Sequence, residues 1–406
     1  MTGKHMALIL PSRQAPFVVG LRETNDPGPG EILIRIRATA LNPGDAKTQK
    51  RGIYVNKFPA VLGSDGAGVV ERVGEGVTRF DPGDDVFFHG AYDDNDLATF
   101  QQYSIAVVDF AAKIPDNLSY DQAATMPLGI GTAAIGLYGR VNGLGLVAPW
   151  KHGGVGKYKG MPIMIFGGAG SVGNYAIQLA KMSGFSPIIT TASPKNAHYL
   201  KSIGATHVID RHLPFSALER EVQRITTAPI NLIYDTVSIR ETQEAAWQLL
   251  GPQGRLVLTL PPVVNRQPDD RRGVVLTNGN PHTEDNWETG RQLWLHLARW
   301  LETGDIIPNH VETISGGLKG IGAALERFER GHIDGVKLVA RPQDTESDVD
   351  LLSSPCSQVK SLRRTPSMRY LRLRMATRFL RSFVMARHIE LDRRAEMEYG
   401  GWHICK

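Results

Sequence analysis

An apolar segment, PIMIF (162–166), runs directly into GGAGSVGNYAIQLAKMSG (167–184). A short apolar strand that stops at glycines and resumes as an alanine-rich helix has few ways to fold. Its next parallel neighbour is reached only by a crossover, and a helix is the usual one. The same alternation continues through SPIITTA (186–192), NAHYLKSIG (196–204), HVID (207–210), NLIYDTV (231–237), TQEAAWQLL (242–250) and GRLVLTL (254–260). Repeated strand–helix units predict a doubly wound parallel sheet.

Upstream the pattern differs. EILIRIRATALN (31–42) alternates apolar and polar residues, VLGSDGAGVVERVGEGV (61–77) is punctuated by glycine, and FDPGDDVFFHG (80–90) reads as a turn feeding a strand. Residues 1–125 are therefore expected to be β-rich. SYDQAATMPLGIGTAAIGLYGRV (119–141) is expected to be helical, and NRQPDDRRGVVLTNGNPHTEDNWETGRQ (265–292) loop-like, before the helix LWLHLARWLETG (293–304). HVETI (310–314), the amphipathic GLKGIGAALERFERG (317–331) and the strand GVKLVARP (335–342) follow. The acidic, serine-rich QDTESDVDLLSSPCSQ (343–358) reads as a linker into a poorly ordered tail, 343–406.

With 406 residues, 42% hydrophobic and 21% charged, the chain has an ordinary globular composition. The net charge of +5 lies mostly beyond residue 342, where 12 Lys or Arg face 8 Asp or Glu, so it points to no nucleic-acid partner for the body. No run of about 18 apolar residues offers a membrane span, and MTGKHMALILPSRQ has too short an apolar core for a secretory signal. A cytoplasmic location is the expectation. The two cysteines, Cys356 and Cys405, leave the first 355 residues without the means for a disulfide framework or a four-cysteine zinc lobe.

Gly168, Gly170 and Gly173 satisfy GxGxxG between the strand and the helix. The first glycine is expected to permit the tight turn, the second to let backbone approach a pyrophosphate, and the third to let helix pack on strand. The helix N-terminus, from Ser171 and Val172, then supplies free N–H groups to the anion. At the end of the second strand, TTASPKN (190–196), there is no carboxylate to hold a ribose 2′-OH, and none between Asp121 and Asp210. Ser193, Lys195 and Asn196 stand there instead, and Ser193 and Lys195 suit a 2′-phosphate. NADPH is the expected cofactor, with Lys195 as a solvated surface charge the competing reading.

Taken in order, LNPGDAKTQKRGIY (41–54), LGSDGAGVVERVGEGV (62–77), AATMPLGIGTAAIGLY (123–138), GGAGSVGNYAIQLAK (167–181) and GLKGIGAALERFERGHIDGVKLVARP (317–342) resemble the medium-chain dehydrogenase/reductase superfamily. More narrowly they are similar to its zinc-free fungal members, trans-acting enoyl reductases and quinone oxidoreductase-like proteins among them. The resemblance spans residues 1–342. It implies an α/β chain with a chaperonin-10-like β-rich catalytic domain (1–125 and 310–342) and an inserted Rossmann NADP-binding domain (126–309), substrate lying in the cleft between. Zinc-dependent relatives carry a cysteine shortly before the Asp of NPGDAK and a His-Glu pair where this chain has Ser64 within GSDGAG. A metal is therefore not expected.

Without a metal, conjugate reduction is the less demanding chemistry, because charge spreads over an enolate that a few hydrogen bonds can hold. The resemblance implies Tyr54 as the pocket tyrosine and Lys47 as the lysine near cofactor and substrate; a neutral phenol, its ordinary pKa about 10, can donate to an enolate oxygen or deliver a proton. It also implies that Asn42 orients the nicotinamide or ribose, that Thr132 approaches the cofactor, and that Val237 and Leu260 form its wall. Tyr54 as a packed loop aromatic, Lys47 as a surface lysine and Thr132 as a hydroxyl bonded to its own helix remain open alternatives. The expected activity is NADPH-dependent enoyl reduction of a small-molecule or carrier-bound substrate, with a polyketide synthase as partner. Quinone or enone reduction and a non-catalytic nucleotide-binding scaffold are the rivals. The glycine-rich basic loop 138–160 reads either as a wall of the acyl channel or as a surface insertion. Leu371, Met375, Phe379 and Phe383 recur every four residues in a basic stretch of the tail, which reads either as an unselected extension or, less favoured, as a membrane or acidic-partner contact.

Overall fold

The computed structural model describes residues 3–346 apart from Asp93 and Pro268; the tail positions Leu371, Met375, Phe379 and Phe383 lie outside the described residues. The chain opens with strands β1 (Lys4–Leu10), β2 (Val18–Glu23) and β3 (Glu31–Ala40), helix α1 (Pro43–Arg51), then β4 (Ala60–Val61), β5 (Asp65–Val73), β6 (Asp85–His89), β7 (Tyr103–Val107) and β8 (Ala111–Lys113). Helices α2 (Tyr120–Ala124) and α3 (Pro127–Tyr138) follow. The alternating region holds β9 (Ile163–Phe166), α4 (Ser171–Ser183), β10 (Ile188–Ala192), α5 (Ala197–Ile203), β11 (His207–Asp210), α6 (Phe215–Ile225), β12 (Ile230–Asp235), α7 (Arg240–Leu249), β13 (Leu250–Leu258), β14 (Gly273–Leu276) and α8 (Glu284–Thr303). The last elements are β15 (Val311–Thr313), α9 (Gly317–Glu329) and β16 (Lys337–Ala340).

Strands β9 to β14 form one parallel six-stranded sheet in the order β11-β10-β9-β12-β13-β14. Counted from β9 this is 3-2-1-4-5-6, the order in which the winding direction reverses between β9 and β12 and leaves a crevice beyond their C-terminal ends. Isoleucine, methionine and phenylalanine fill β9 because both faces of a parallel strand are covered, and all four of its residues are buried. A second sheet of seven strands combines β3, β5, β6, β7 and β8 with β15 and β16 from the end of the chain. A third is the antiparallel β2-β1-β4. The chain's return through β15 and β16 brings Lys337 beside residues from positions 42 to 65. Trp294 of α8, fully buried, meets Phe87 of β6 with ring centroids 5.1 Å apart and ties the two sheets' layers together.

Three expectations are corrected. The stretch 265–292 is not all loop: Gly273–Leu276 forms β14, paired in parallel with β13. Four residues with apolar character only at GVVL give too short a signal to separate strand from loop. The helical stretch from Ser119 is two helices, broken before Pro127, which lacks an N–H and so starts α3 rather than continuing α2. Nor does the packed body end at Pro342. Gln343 donates to the carbonyls of Ile36 and Gln102 at 3.0 and 2.9 Å, and the buried Thr345 hydroxyl accepts from Leu318 N–H at 2.8 Å. Among the described residues, no helix is long and apolar enough to cross a membrane.

Candidate active site

A cavity of about 1430 Å³ lies beyond the C-terminal ends of β9 and β12 and is closed on the far side by α1 and the loop after β6. The chain reaches it from β9 through Gly167, which holds φ +80, a left-handed conformation that a side chain resists. The tight turn thus falls one residue earlier than GxGxxG suggests. Gly168 instead packs on β10, where an added Cβ would sit 2.2 Å from Thr190 Oγ1. Gly173 packs back on the turn itself, with Gly167 O only 2.3 Å from the same imagined atom. Neither Gly168 nor Gly173 faces the cavity, whereas Gly170, Ser171 and Val172 do. The first intrahelical bond of α4 runs from Asn174 N–H to Gly170 O, so the N–H groups of residues 171–173 have no acceptor within the helix. The first turn of α4 therefore offers an anion seat open to the crevice. This geometry fits a dinucleotide pyrophosphate.

At the end of β10, Ser193 lines the cavity, and Ser193, Lys195 and Asn196 all reach Asp334, at 3.4, 3.0 and 2.9 Å. The expectation that no carboxylate stands at this place is therefore corrected. Asp334 arrives from the loop before β16, some 140 positions along the chain, which no local reading of 190–196 can detect. Lys195 and Asn196 hold its carboxyl below the usual range despite partial burial, and Arg211, on the cavity wall beside Ser193, adds to the effect. Arg211 went unnoticed in the sequence because it follows the third strand rather than the second.

On the opposite wall, Tyr54 lines the cavity with its backbone at φ +68, the residue being 59% exposed. Lys47, one face of α1, is half-buried, and burial together with the Arg51 charge pulls its ammonium below the usual lysine range, while Glu329 of α9 opposes this. Thr132 also lines the cavity, its hydroxyl donating to Leu128 O at 2.7 Å. Val237 and Leu260 sit at the ends of the β12 and β13 segments, on the cavity wall. Asn42 is at the cavity floor but its amide is occupied at both ends: Nδ2 donates to Asp65 Oδ2 at 2.9 Å and Oδ1 accepts from Lys337 Nζ. Its side chain is tied into the protein at both ends, which leaves one Nδ2 hydrogen for any further partner.

Asn42 opens a buried polar network that sequence reading did not single out, although Asp45 and Asp65 both lie inside the motifs NPGDAK and GSDGAG. Asp65 accepts from Asn42, from Lys337 Nζ at 2.9 Å and from Leu128 N–H at 2.6 Å. Asp45 accepts from Asn42 N–H at 2.7 Å on Oδ2 and from the Tyr92 hydroxyl at 2.6 Å on Oδ1. Two buried carboxyls thus lie in the field of one ammonium, which bonds Asp65 directly and acts on Asp45 from farther away. Burial, and to a lesser degree Asp65, raises the Asp45 pKa to about 7, against the two hydrogen bonds and Lys337, which lower it. His89, also buried on the cavity wall, shares its Nδ1 with Gly90 O at 2.6 Å, and burial pushes its pKa down to about 4, so it is neutral near pH 7.

The raised pKa of Asp45 has a signed consequence for stability. The folded protein keeps a proton on Asp45 that the unfolded chain releases above its ordinary value of 3.8, so stability falls as pH climbs from about 4 to about 7 and stays low above. Asp45→Asn removes that ionisation. Denaturant midpoints are expected to match wild type near pH 4, with the variant ahead by on the order of a few kcal/mol at pH 8; an equal gap at both pH values contradicts a neutral buried Asp45.

Comparison with known proteins places these features in a family. Residues 28–116 match the family model "Alcohol dehydrogenase GroES-like domain", and residues 171–259 match "Zinc-binding dehydrogenase". A trans-enoyl reductase from Gibberella fujikuroi is 30% identical over 331 residues, 77% of this chain and 92% of its own. The enoyl reductase component of lovastatin nonaketide synthase from Aspergillus terreus is 29% identical, over 77% of this chain and 89% of its own. The fold matches an alcohol dehydrogenase superfamily protein from Novosphingobium aromaticivorans with a TM-score of 0.69, at 24% identity over 82% of this chain and 98% of the other.

Zinc, named in the second model, does not fit this donor set. Among the described residues no three His, Cys, Asp or Glu side chains are placed to hold a metal ion, Ser64 lines the cavity at one position where zinc-dependent relatives ligate, and Asp65 is saturated by three donors. With a 3-2-1-4-5-6 parallel sheet, an anion seat at its switch point and relatives at 30% identity across nine-tenths of their length, the chain is an oxidoreductase that belongs to the medium-chain dehydrogenase/reductase superfamily, among the trans-enoyl reductases.

Proposed function

We propose that the protein reduces the carbon–carbon double bond of an α,β-unsaturated thioester with NADPH and without zinc. The observation that carries this reading is the pairing, in one cavity, of an open helix N-terminus on one wall with hydrogen-bond donors on the other, no metal donor set being present among the described residues. At about 1430 Å³ the cavity exceeds the usual range for a single drug-sized ligand, leaving room for an acyl chain beside a dinucleotide. The residues fit NADPH as follows: the N–H groups of Ser171 and Val172 take the pyrophosphate, and Ser193, Arg211 and Lys195 take the 2′-phosphate. Thr132, Val237 and Leu260 flank the nicotinamide end. When bound, the reduced nicotinamide supplies a hydride.

Addition at the β-carbon leaves negative charge spread toward the carbonyl oxygen, where Tyr54 and Lys47 donate hydrogen bonds. A lysine already held below its usual pKa is the better donor, since its proton is less tightly kept. The relatives' names support a carrier-bound acyl chain as substrate and a polyketide synthase as partner.

The test is NADPH consumption with an enoyl thioester, a quinone and an enal, with product mass measured for each. Thioester reduction to the saturated product supports the reading, and quinone reduction with no thioester turnover overturns it in favour of a quinone reductase. The double variant Tyr54→Phe, Lys47→Ala is expected to lose at least tenfold in kcat. Turnover unchanged in that variant removes both residues from the chemistry.

A further inference from the structure

Enoyl reduction needs a proton as well as a hydride, and the buried network around Asp45 supplies an answer that rests on the enoyl-reductase reading above. Tyr92 lines the same cavity wall as Lys47 and Tyr54, in the loop after β6, and its hydroxyl is 2.6 Å from Asp45 Oδ1. Asp45 Oδ2 is taken by Asn42 N–H at 2.7 Å, and a peptide N–H cannot donate to an oxygen that already carries the acid's hydrogen along the same direction. In the neutral acid the proton therefore belongs on Oδ1, which reverses the bond to Tyr92: the phenol donates to the Asp45 carboxylate and accepts from the protonated acid. Only one hydrogen fits between those two oxygens. When Asp45 provides it, the O–H of Tyr92 must point elsewhere, and the buried Ser64 hydroxyl on the same cavity wall is the neighbour that interacts with it.

We infer that Tyr92 is a catalytic residue that protonates the α-carbon of the enolate and is refilled from Asp45, which acts through it as a positioning residue and proton store. The Tyr92 O–H bond breaks as the α-carbon–hydrogen bond forms, and the electron pair of that new bond comes from the enolate. The Asp45 Oδ1–H proton passes to Tyr92 Oη in the same event, leaving neutral tyrosine and an Asp45 carboxylate. Once product leaves, Asp45 regains a proton from cavity water by the reverse path through Tyr92.

The surroundings suit this exchange. Asp65 on β5 and Lys337 on β16 are the charged groups that face Asp45. Asp65 favours its neutral form, and Lys337 steadies the carboxylate left after transfer. Lys47, on the same helix, interacts instead with Arg51 and with Glu329 of α9. Burial and the Asp45 carboxyl raise the Tyr92 pKa, so the phenol stays protonated until an acceptor as basic as an enolate is in place. Tyr54, more exposed and just past the end of α1, is left to hold the oxygen.

The experiment uses the full-length protein with NADPH and a crotonyl thioester. Tyr92→Phe is expected to lower kcat about a hundredfold, with NADPH affinity measured by fluorescence unchanged and the solvent deuterium isotope effect enlarged, because the proton step then limits the rate. In wild type, kcat is expected to fall above about pH 7 as the store empties, and Asp45→Asn to lose that limb of the profile. Infrared difference spectra of the protein without substrate are expected to contain a protonated-carboxyl band near neutral pH that Asp45→Asn removes and Tyr92→Phe retains. Should Tyr92→Phe not fold, Asp45→Asn decides, since its amide keeps an acceptor for Asn42 N–H and a donor to Tyr92. A Tyr92→Phe kcat within threefold of wild type, or an Asp45→Asn variant with an unchanged pH profile and carboxyl band, overturns the assignment. Wild-type protein that reduces no thioester overturns the enoyl-reductase reading, a result distinct from active wild type with an indifferent Tyr92.

Discussion

Gly173→Ala is expected to weaken NADPH binding about a thousandfold while Gly322→Ala leaves it unchanged. A methyl at position 173 would lie 2.3 Å from Gly167 O, 2.8 Å from Gly167 C and 2.9 Å from Gly168 Cα. Every one of these is backbone, so no flexible side chain can turn away, and the turn and α4 must move apart. The turn is also where Gly167 holds a left-handed conformation, so it has little freedom to absorb the shift. Displacing the first turn of α4 misaims the N–H groups that would hold the pyrophosphate. Losing two charge-assisted hydrogen bonds at about 2 kcal/mol each amounts to roughly a thousandfold in Kd. Gly322 sits on α9 with nothing within 4 Å of the imagined Cβ, which makes it the matched control. Titration of nicotinamide fluorescence against each variant checks the pair. A Gly173→Ala Kd within threefold of wild type would mean that the anion seat is not at this helix.

The second large effect concerns the choice between NADPH and NADH. Lys195→Ala combined with Arg211→Ala is expected to weaken NADPH a few hundredfold and NADH little, because only NADPH carries the 2′-phosphate. Lys195 is 67% exposed on its side chain, so each lost contact is placed at about 1.5 to 2 kcal/mol rather than at the strength of a buried pair. Asp334 gives this prediction a second arm of opposite sign. Its carboxylate now pairs with Lys195 and must share that charge with any phosphate, so Asp334→Asn is expected to tighten NADPH and leave NADH unchanged. Isothermal titration of both cofactors against the three proteins checks the set. Equal losses for NADPH and NADH in the double variant would place the 2′-position elsewhere.

Much of the scaffold was legible along the chain because its signals are local. β9, the glycine turn and α4 announce themselves through apolar run, glycine spacing and alanine-rich helix, each within a few residues. The family resemblance carried by the motifs at 41–54 and 123–138 pointed to Lys47, Tyr54 and Thr132, which the fold does bring to one cavity. Local signals failed where a contact joins distant segments. Lys337 meets Asn42 and Asp65 from 295 and 272 positions away, and Asp334 meets Lys195 from 139. Asp45 and Asp65 were visible as letters but not as a pair, since nothing in NPGDAK or GSDGAG says that both are buried beside one ammonium. Tyr92 sits in a loop without any pattern, and only its hydrogen bond to Asp45 distinguishes it.

The linear order of residues was enough to determine a parallel doubly wound sheet with a nucleotide turn, because periodicity and glycine placement act over a single turn or strand. Which side chains face that turn was decided by the tertiary structure alone. The reason is that burial, which raises the Asp45 pKa, and the ion pair with Lys195 that keeps Asp334 charged are both set by segments far apart in the chain that only the fold brings together.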